Sequence, residues 1–212
     1  MLVNHATPWD YLPALPDCEV IDSELMLHII RANLSRYWRS WRLERRYPDL
    51  RVSHPVLWDY DEIDQIELGH EVTIGAFSEL AILARATLGS VPGRLKIGHR
   101  SQIGSGCNIR ACGGTIEIGD NCILAQQVSI IAANHEIRAG AIYRDLPWDT
   151  RRHGVTVAAN VWIGAGVTIL PGCQIGENAI IAAGSVVTKA VPANEIWGNI
   201  PARMIRRIES ER

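Results

Sequence analysis

The 212-residue sequence contains no Cys-x-x-Cys pair, no surplus of basic charge and no long uninterrupted apolar run. Its cysteines, Cys18, Cys107, Cys112, Cys122 and Cys173, are odd in number, which argues against a secreted disulfide framework and fits a reducing cytoplasm. A formal net charge of -2 offers no general attraction to a polyanion, so nucleic acid is not an expected partner. The first residues, Met1-Leu2-Val3-Asn4-His5-Ala6-Thr7-Pro8, have neither a charged start nor an apolar segment, so no secretory leader is expected. The most apolar stretch, Val72 to Val91, is broken by Glu79 and Arg85 and ends at Pro92, which leaves no membrane span. With 47% hydrophobic residues, the chain suits one soluble domain with a sizeable core and a short appendage.

What the sequence does have is a beat. From residue 157 an aliphatic residue recurs every six positions: Val157, Ile163, Ile169, Ile175, Ile181 and Val187. Upstream it returns in triplets: Leu68, Ile74, Leu80, then Ile97, Ile103, Ile109, then Ile118, Leu124, Ile130. Six residues of α-helix advance by about 600° and scatter successive side chains over different faces, so a helix cannot carry this period. A strand can, because six is a multiple of its two-residue side-chain period. Small residues just after the aliphatic one (Gly164, Gly176, Ala182) and four after it (Cys173, Ala179, Ser185) suit tight corners. Short strands joined by corners make a triangular coil, and stacked coils share a continuous core, the logic of a solenoid.

Two segments fall outside the beat. Residues 23–46 read as an amphipathic helix with Ile30, Leu34, Trp38 and Trp41 on one stripe, ending before Pro48. Between 31 and 46 this helix also carries Arg31, Arg36, Arg39, Arg42, Arg45 and Arg46, a pattern found on packed helices with a solvated face and on helices that lie against anionic lipid. A short helix around Pro201 to Ile208 is expected to cap the other end. The organisation is thus an N-terminal extension over 1–62 and a coil domain over 63–208, with an inserted loop at about 134–154.

That loop breaks the beat between Ile130 and Val157. It opens with Asn134-His135-Glu136 and runs through Trp148, Arg151, Arg152 and His153. Unstructured loops longer than about 12 residues in compact domains are usually functional or disordered. A positioned imidazole, titrating near neutrality, can take a proton from a hydroxyl as it attacks a carbonyl. His135 is the candidate, while Glu136 points away from its neighbour in an extended segment and is not assigned as its partner.

The runs Ile118-Gly119-Asp120-Asn121, Val161-Trp162-Ile163-Gly164-Ala165-Gly166 and Ala183-Gly184-Ser185-Val186-Val187-Thr188-Lys189 resemble the hexapeptide-repeat acyltransferases. They are similar to galactoside and maltose acetyltransferases and to the sugar O-acetyltransferases of capsule and lipopolysaccharide assembly. The resemblance covers roughly residues 66–208. It implies an all-β solenoid, specifically a left-handed parallel β-helix, assembled as a homotrimer with active sites between subunits. It also implies acetyl-CoA as acyl donor, no metal, and a small-molecule or lipid-linked sugar as acceptor. His135, at the family's spacing from Ile118-Gly119-Asp120-Asn121, becomes the general base. Ala165 and Ala183 would line the pantetheine arm, with a backbone N–H near Ala165 facing the oxyanion. Thr188, Lys189, Arg203 and Arg206 match positions toward the nucleotide, and Trp162 matches an aromatic wall beside thioester and acceptor. Ser105 and Gly113 stand where the galactoside enzymes carry acceptor-contacting Asn and Asp, a departure from their pattern.

Two rival readings accompany this one. A β-helix carbonic anhydrase would bridge zinc with three histidines; His99 and His135 are 36 residues apart as two such ligands are, but the third position is Gly140. A scaffold or binding module without activity is the other, since fold alone proves no chemistry.

Overall fold

The computed structural model describes residues 37–83 and 91–209. The chain folds as a stack of triangular turns. The first is β1 (Arg51–Val52), β2 (Leu57–Tyr60) and β3 (Ile66–Leu68); the next is β4 (Thr73–Ile74), β5 (Glu79–Leu83) and β6 (Arg94–Ile97). Above them lie β7 (Gln102–Ile103), β8 (Asn108–Cys112) and β9 (Thr115–Ile118), then β10 (Ile123–Leu124), β11 (Ser129–Ile131) and β12 (Val155–Val157). The stack continues through β13 (Trp162–Ile163), β14 (Thr168–Ile169) and β15 (Cys173–Ile175) to β16 (Ile180–Ile181) and β17 (Val186–Val187). β18 (Glu195–Gly198) and β19 (Arg203–Arg207) close it.

Equivalent strands of successive turns form three sheets, the faces of a prism. The first face runs β1-β4-β7-β10-β13-β16-β18-β19, the second β17-β14-β11-β8-β5-β2 and the third β15-β12-β9-β6-β3. All pairings are parallel except that of β18 with β19, and the register stacks like on like: Ile74 on Ile103, Leu124 on Ile163, Ile130 on Ile169. Every aliphatic residue of the six-residue beat is buried, from Leu68 to Val187. The positions two residues before them are buried too, filled by aliphatic residues such as Ile66, Leu95 and Val161, by cysteines, by Ala179 or by serines. Those serines spend their hydroxyls on backbone carbonyls, Ser78 on Gly104 and Ser101 on Gly119 at 3.0 and 2.7 Å, so the core buries no unpaired oxygen there.

The corners explain the rest of the repeat. Between the third face and the first, each turn places one residue in the left-handed region, and from β9 onward it is always asparagine: Asn121, Asn160, Asn178 and Asn194, with φ of 56 to 59°. Asparagine tolerates that conformation better than most residues. The last three also join in a ladder, Asn160 Nδ2 donating to Asn178 Oδ1 at 2.7 Å and Asn178 Nδ2 to Asn194 Oδ1 at 3.0 Å.

The ends differ from the sequence expectation. The C-terminal segment expected as a helix around 201–208 is the strand β19, paired antiparallel with β18. The last parallel strand has an open edge of N–H and C=O groups, and a strand that turns back pairs with it directly where a helix could only cover it. At the other end the prism begins at Arg51, ahead of residue 63. Val52 and Trp58 are already six apart and sit in register with Ile74 and Leu80, but a tryptophan in the aliphatic place hides the beat. Of the expected helix over 23–46, residues 37–46 are helical (α1), and 23–36 lie outside the described residues. Leu43 of α1 is fully buried, and Tyr47, just after it, donates its hydroxyl to the Ile66 carbonyl at 2.7 Å. Among the described residues no helix is long and apolar enough to cross a membrane.

Because each turn leans on its neighbours through these inward side chains, truncating one removes contacts on both sides. Ile163→Ala is expected to cost about 2–5 kcal/mol, read as a lowered midpoint in urea unfolding. The outward Gln102→Ala on the same face is expected to stay within about 0.5 kcal/mol of the unchanged chain.

Candidate functional site

Both long departures from the prism leave at its second corner, between the second and third faces. One joins β5 to β6; residues 84–90 of it lie outside the described residues. The other, 132–154, carries His135. This loop folds back on its own start as a short antiparallel clasp. Asp149 N–H donates to the Asn134 carbonyl at 2.7 Å and Glu136 N–H to the Pro147 carbonyl at 2.8 Å, so that His135 faces Trp148.

The clasp fixes the imidazole on two sides. His135 Nδ1 lies 2.8 Å from the Leu146 carbonyl oxygen, and its ring centroid is 4.4 Å from that of Trp148, tilted by 35°. A carbonyl oxygen only accepts, so Nδ1 bears the hydrogen and, in the neutral imidazole, the lone pair is on Nε2. This is the tautomer a base needs if it is to take a proton at Nε2. Leu146 is itself buried, which makes its carbonyl a fixed anchor. The orienting group that sequence reading left unassigned is therefore a backbone atom, while Glu136 turns to Arg138 at 3.5 Å.

The indole of Trp148 needs space, and Gly113 supplies it. At φ 70° a Cβ on residue 113 would lie 2.8 Å from Trp148 Cγ and 3.0 Å from Ala133 Cβ. The far end of the loop is tied along the same corner, with Gly154 N–H donating to the Ala132 carbonyl at 2.6 Å and Arg152 Nη2 donating to the Thr188 carbonyl at 2.7 Å. Thr188 thus belongs to the corner that carries His135. Lys189, next in the chain, rests its ammonium 5.2 Å from the centre of the Trp197 ring at the end of the prism.

The other expected site residues lie elsewhere on the chain. Ala165 and Ala183 stack at the first corner, between the first and second faces, where Gly184 N–H donates to the Ala165 carbonyl at 2.8 Å. Neither is a core residue: Ala165 is half-buried and Ala183 exposed. The N–H of Ala165 makes no hydrogen bond among the described residues. Trp162 is 53% exposed on the outside of the first face, in register with Ile123 and Ile180. Arg203 and Arg206 are exposed on β19, opposite Gly198 and Ile196. The second face therefore separates the His135 corner from the Ala165 and Ala183 corner within one copy.

Other chemistries fare less well. Burial pushes the thiols of Cys107, Cys112, Cys122 and Cys173 up, which keeps them as neutral S–H groups and poor nucleophiles at neutral pH. The zinc set is incomplete by residue type, since Gly140 offers no ligand and stands in open space. His99 is at the third corner, its Nδ1 accepting the His70 N–H at 3.0 Å.

Gly113→Ala combines a strained left-handed backbone, about 1–2 kcal/mol, with a clash against the indole. The expected outcome is a comparable loss of stability together with a changed tryptophan fluorescence, measured on the same urea titration. An unchanged spectrum would mean that Trp148 does not rest there.

Two sequence families match the repeat: bacterial transferase hexapeptide (six repeats) over residues 154–189, and hexapeptide repeat of succinyl-transferase over residues 94–132. Galactoside O-acetyltransferase of Escherichia coli strain K12 is 39% identical over 98 residues, 44% of this chain and 45% of the relative. Mitochondrial gamma carbonic anhydrase 1 of Arabidopsis thaliana is 28% identical over 155 residues, 67% of this chain and 56% of the relative. The chain thus spans about half the length of these curated relatives. Among solved structures, a maltose O-acetyltransferase from Clostridium difficile 630 is 30% identical, covering 76% of this chain and 67% of that one, with a TM-score of 0.50. An N-acyltransferase from Bacillus cereus in complex with dTDP-4-amino-4,6-dideoxyglucose and coenzyme A shares the fold at 21% identity and a TM-score of 0.64, over 76% of this chain and 82% of that one. With the six-residue core, the matched repeats and the maltose acetyltransferase likeness in agreement, the chain belongs to the hexapeptide-repeat acyltransferase family.

Proposed function

We propose that this protein is an O-acetyltransferase that moves the acetyl group of acetyl-CoA onto a sugar or polysaccharide-precursor hydroxyl, with His135 as general base. The observation that carries the reading is the Leu146 carbonyl on His135 Nδ1, which in the neutral imidazole puts the lone pair on Nε2 at the start of the inserted loop. The likeness to galactoside and maltose O-acetyltransferases supports both the donor and the acceptor class.

In this mechanism Nε2 accepts the acceptor hydroxyl proton as the oxygen attacks the thioester carbonyl carbon. The carbonyl oxygen becomes an oxyanion, held by a backbone N–H for which Ala165 is the candidate. The intermediate collapses by breaking the carbon–sulfur bond, and the imidazolium returns its proton to the coenzyme A thiolate. No covalent enzyme intermediate forms, in keeping with the neutral buried thiols. The residues expected toward the donor are Ala165, Ala183, Thr188, Lys189, Arg203 and Arg206, with Trp162 beside the acceptor. They fall on separate corners and faces, so one copy does not gather them around His135. A cytoplasmic homotrimer of left-handed coils, the family's arrangement, would set the His135 corner of one subunit against the Ala165 and Ala183 corner of the next.

Two measurements test this. His135→Ala is expected to lower kcat about 100- to 10,000-fold while acetyl-CoA affinity stays nearly intact; full activity in that variant would end the assignment. A shared site also predicts complementation. Mixed trimers of inactive His135→Ala and inactive Ala165→Trp subunits would regain part of the activity, because some interfaces combine two intact corners. No recovery on mixing would place the whole site within one subunit.

A further inference from the structure

The acetyl-transfer reading leaves the outward face of α1 unused. Five exposed residues share it: Tyr37, Trp38, Trp41, Arg42 and Arg45. At 100° per residue they span one continuous sector of the helix. The three aromatic side chains are 70%, 56% and 47% exposed. The two indoles stack on each other with centroids 4.8 Å apart, and the Arg45 guanidinium lies 5.5 Å from the Trp41 ring centre.

The rest of α1 is engaged with the prism. Arg39 pairs with Asp59, Arg46 with Asp64 at 2.6 Å, the Tyr60 hydroxyl donates to the Arg39 carbonyl at 3.2 Å, and Leu43 is in the core. Glu44, the acidic residue of the helix, sits at the rim and turns to His54 at 3.0 Å. The helix is therefore held against the first turn of the prism by the carboxylates that could have neutralised its arginines. Arg42 and Arg45 have no carboxylate partner among the described residues.

We propose that this face docks the protein on an anionic lipid surface. Tryptophan and tyrosine are the side chains that settle at the headgroup level, where an apolar ring and a polar N–H or O–H are both satisfied. Arginines beside them meet lipid phosphates. A second copy docking through the same face would oppose Arg42 and Arg45 with themselves, which disfavours self-association there. The net charge of -2 gives the protein as a whole no pull toward a polyanion, so any attraction must be local. The docking places an enzyme of this family at the surface where lipid-linked acceptors reside, and it stands or falls independently of the acetyl-transfer chemistry.

The test is co-sedimentation of the full chain with vesicles rich in phosphatidylglycerol and with vesicles of phosphatidylcholine alone, read also by tryptophan emission. Binding to the anionic vesicles, a blue-shifted emission and release by salt are expected. Arg42→Glu/Arg45→Glu and Trp38→Ala/Trp41→Ala, all at exposed positions, should each lower the bound fraction at least about tenfold with unchanged thermal unfolding. Equal binding by the charge-reversed variant, equal binding to both vesicle types, or wild-type protein left in the supernatant at low salt would overturn the proposal. So would lipid-independent self-association that the tryptophan variant abolishes, since the face would then belong to a second copy.

Discussion

The constraint on which this structure depends is the vertical register of its core. Each inward aliphatic residue stands on the equivalent one a turn below, Ile130 between Ile109 and Ile169, Ile163 between Leu124 and Ile181. An extra residue within a strand would turn every following side chain to the wrong face, because the side-chain period is two. Extra residues at a corner leave the register untouched. Chain can therefore be added only at corners, and the two long additions both emerge at the second one. The candidate chemistry is found at the place where the fold tolerates novelty.

What the added loop does there follows from backbone hydrogen bonding. It pairs with its own beginning, 134–136 against 147–149, and returns to the prism through Gly154. The clasp brings the carbonyl of buried Leu146 to His135 Nδ1 and an indole to its ring, so that among the described residues the imidazole is held without a side-chain carboxylate. Further along the corner, Arg152 ties the loop to Thr188. The proposed base and one proposed donor-site residue are thereby linked through a single side chain. The two alanines on the first corner stand apart from this set, and the proposed trimer is what would unite them.

Much of this was legible in the sequence where the repeat is regular. All aliphatic positions of the beat point inward, and the loop begins where the beat stops. The first turn escaped because Trp58 occupies an aliphatic place and a short helical turn, Ile63–Gln65, shifts the phase after it. The last strand is not legible because Arg203 to Arg207 alternates too weakly to show its period; the open edge of β18 decides its structure. His135 could be picked out by residue type and position. Its anchor could not, since every residue offers a carbonyl and only the folded loop selects that of Leu146. Gly113, visible only as a departure from the galactoside pattern, acquires a physical reason once Trp148 is seen resting on it.

The proposed role of His135 as a base rests on the fold holding the proton on Nδ1. Long-range ¹H–¹⁵N correlation spectra of histidine-labelled protein above the imidazole titration test this directly, with His135→Gln assigning the signal. A single neutral tautomer is expected, whose Nδ1 carries the hydrogen and whose Nε2 has the shift of an unprotonated nitrogen. An Nε2–H tautomer, or a rapidly exchanging mixture of the two, would contradict it.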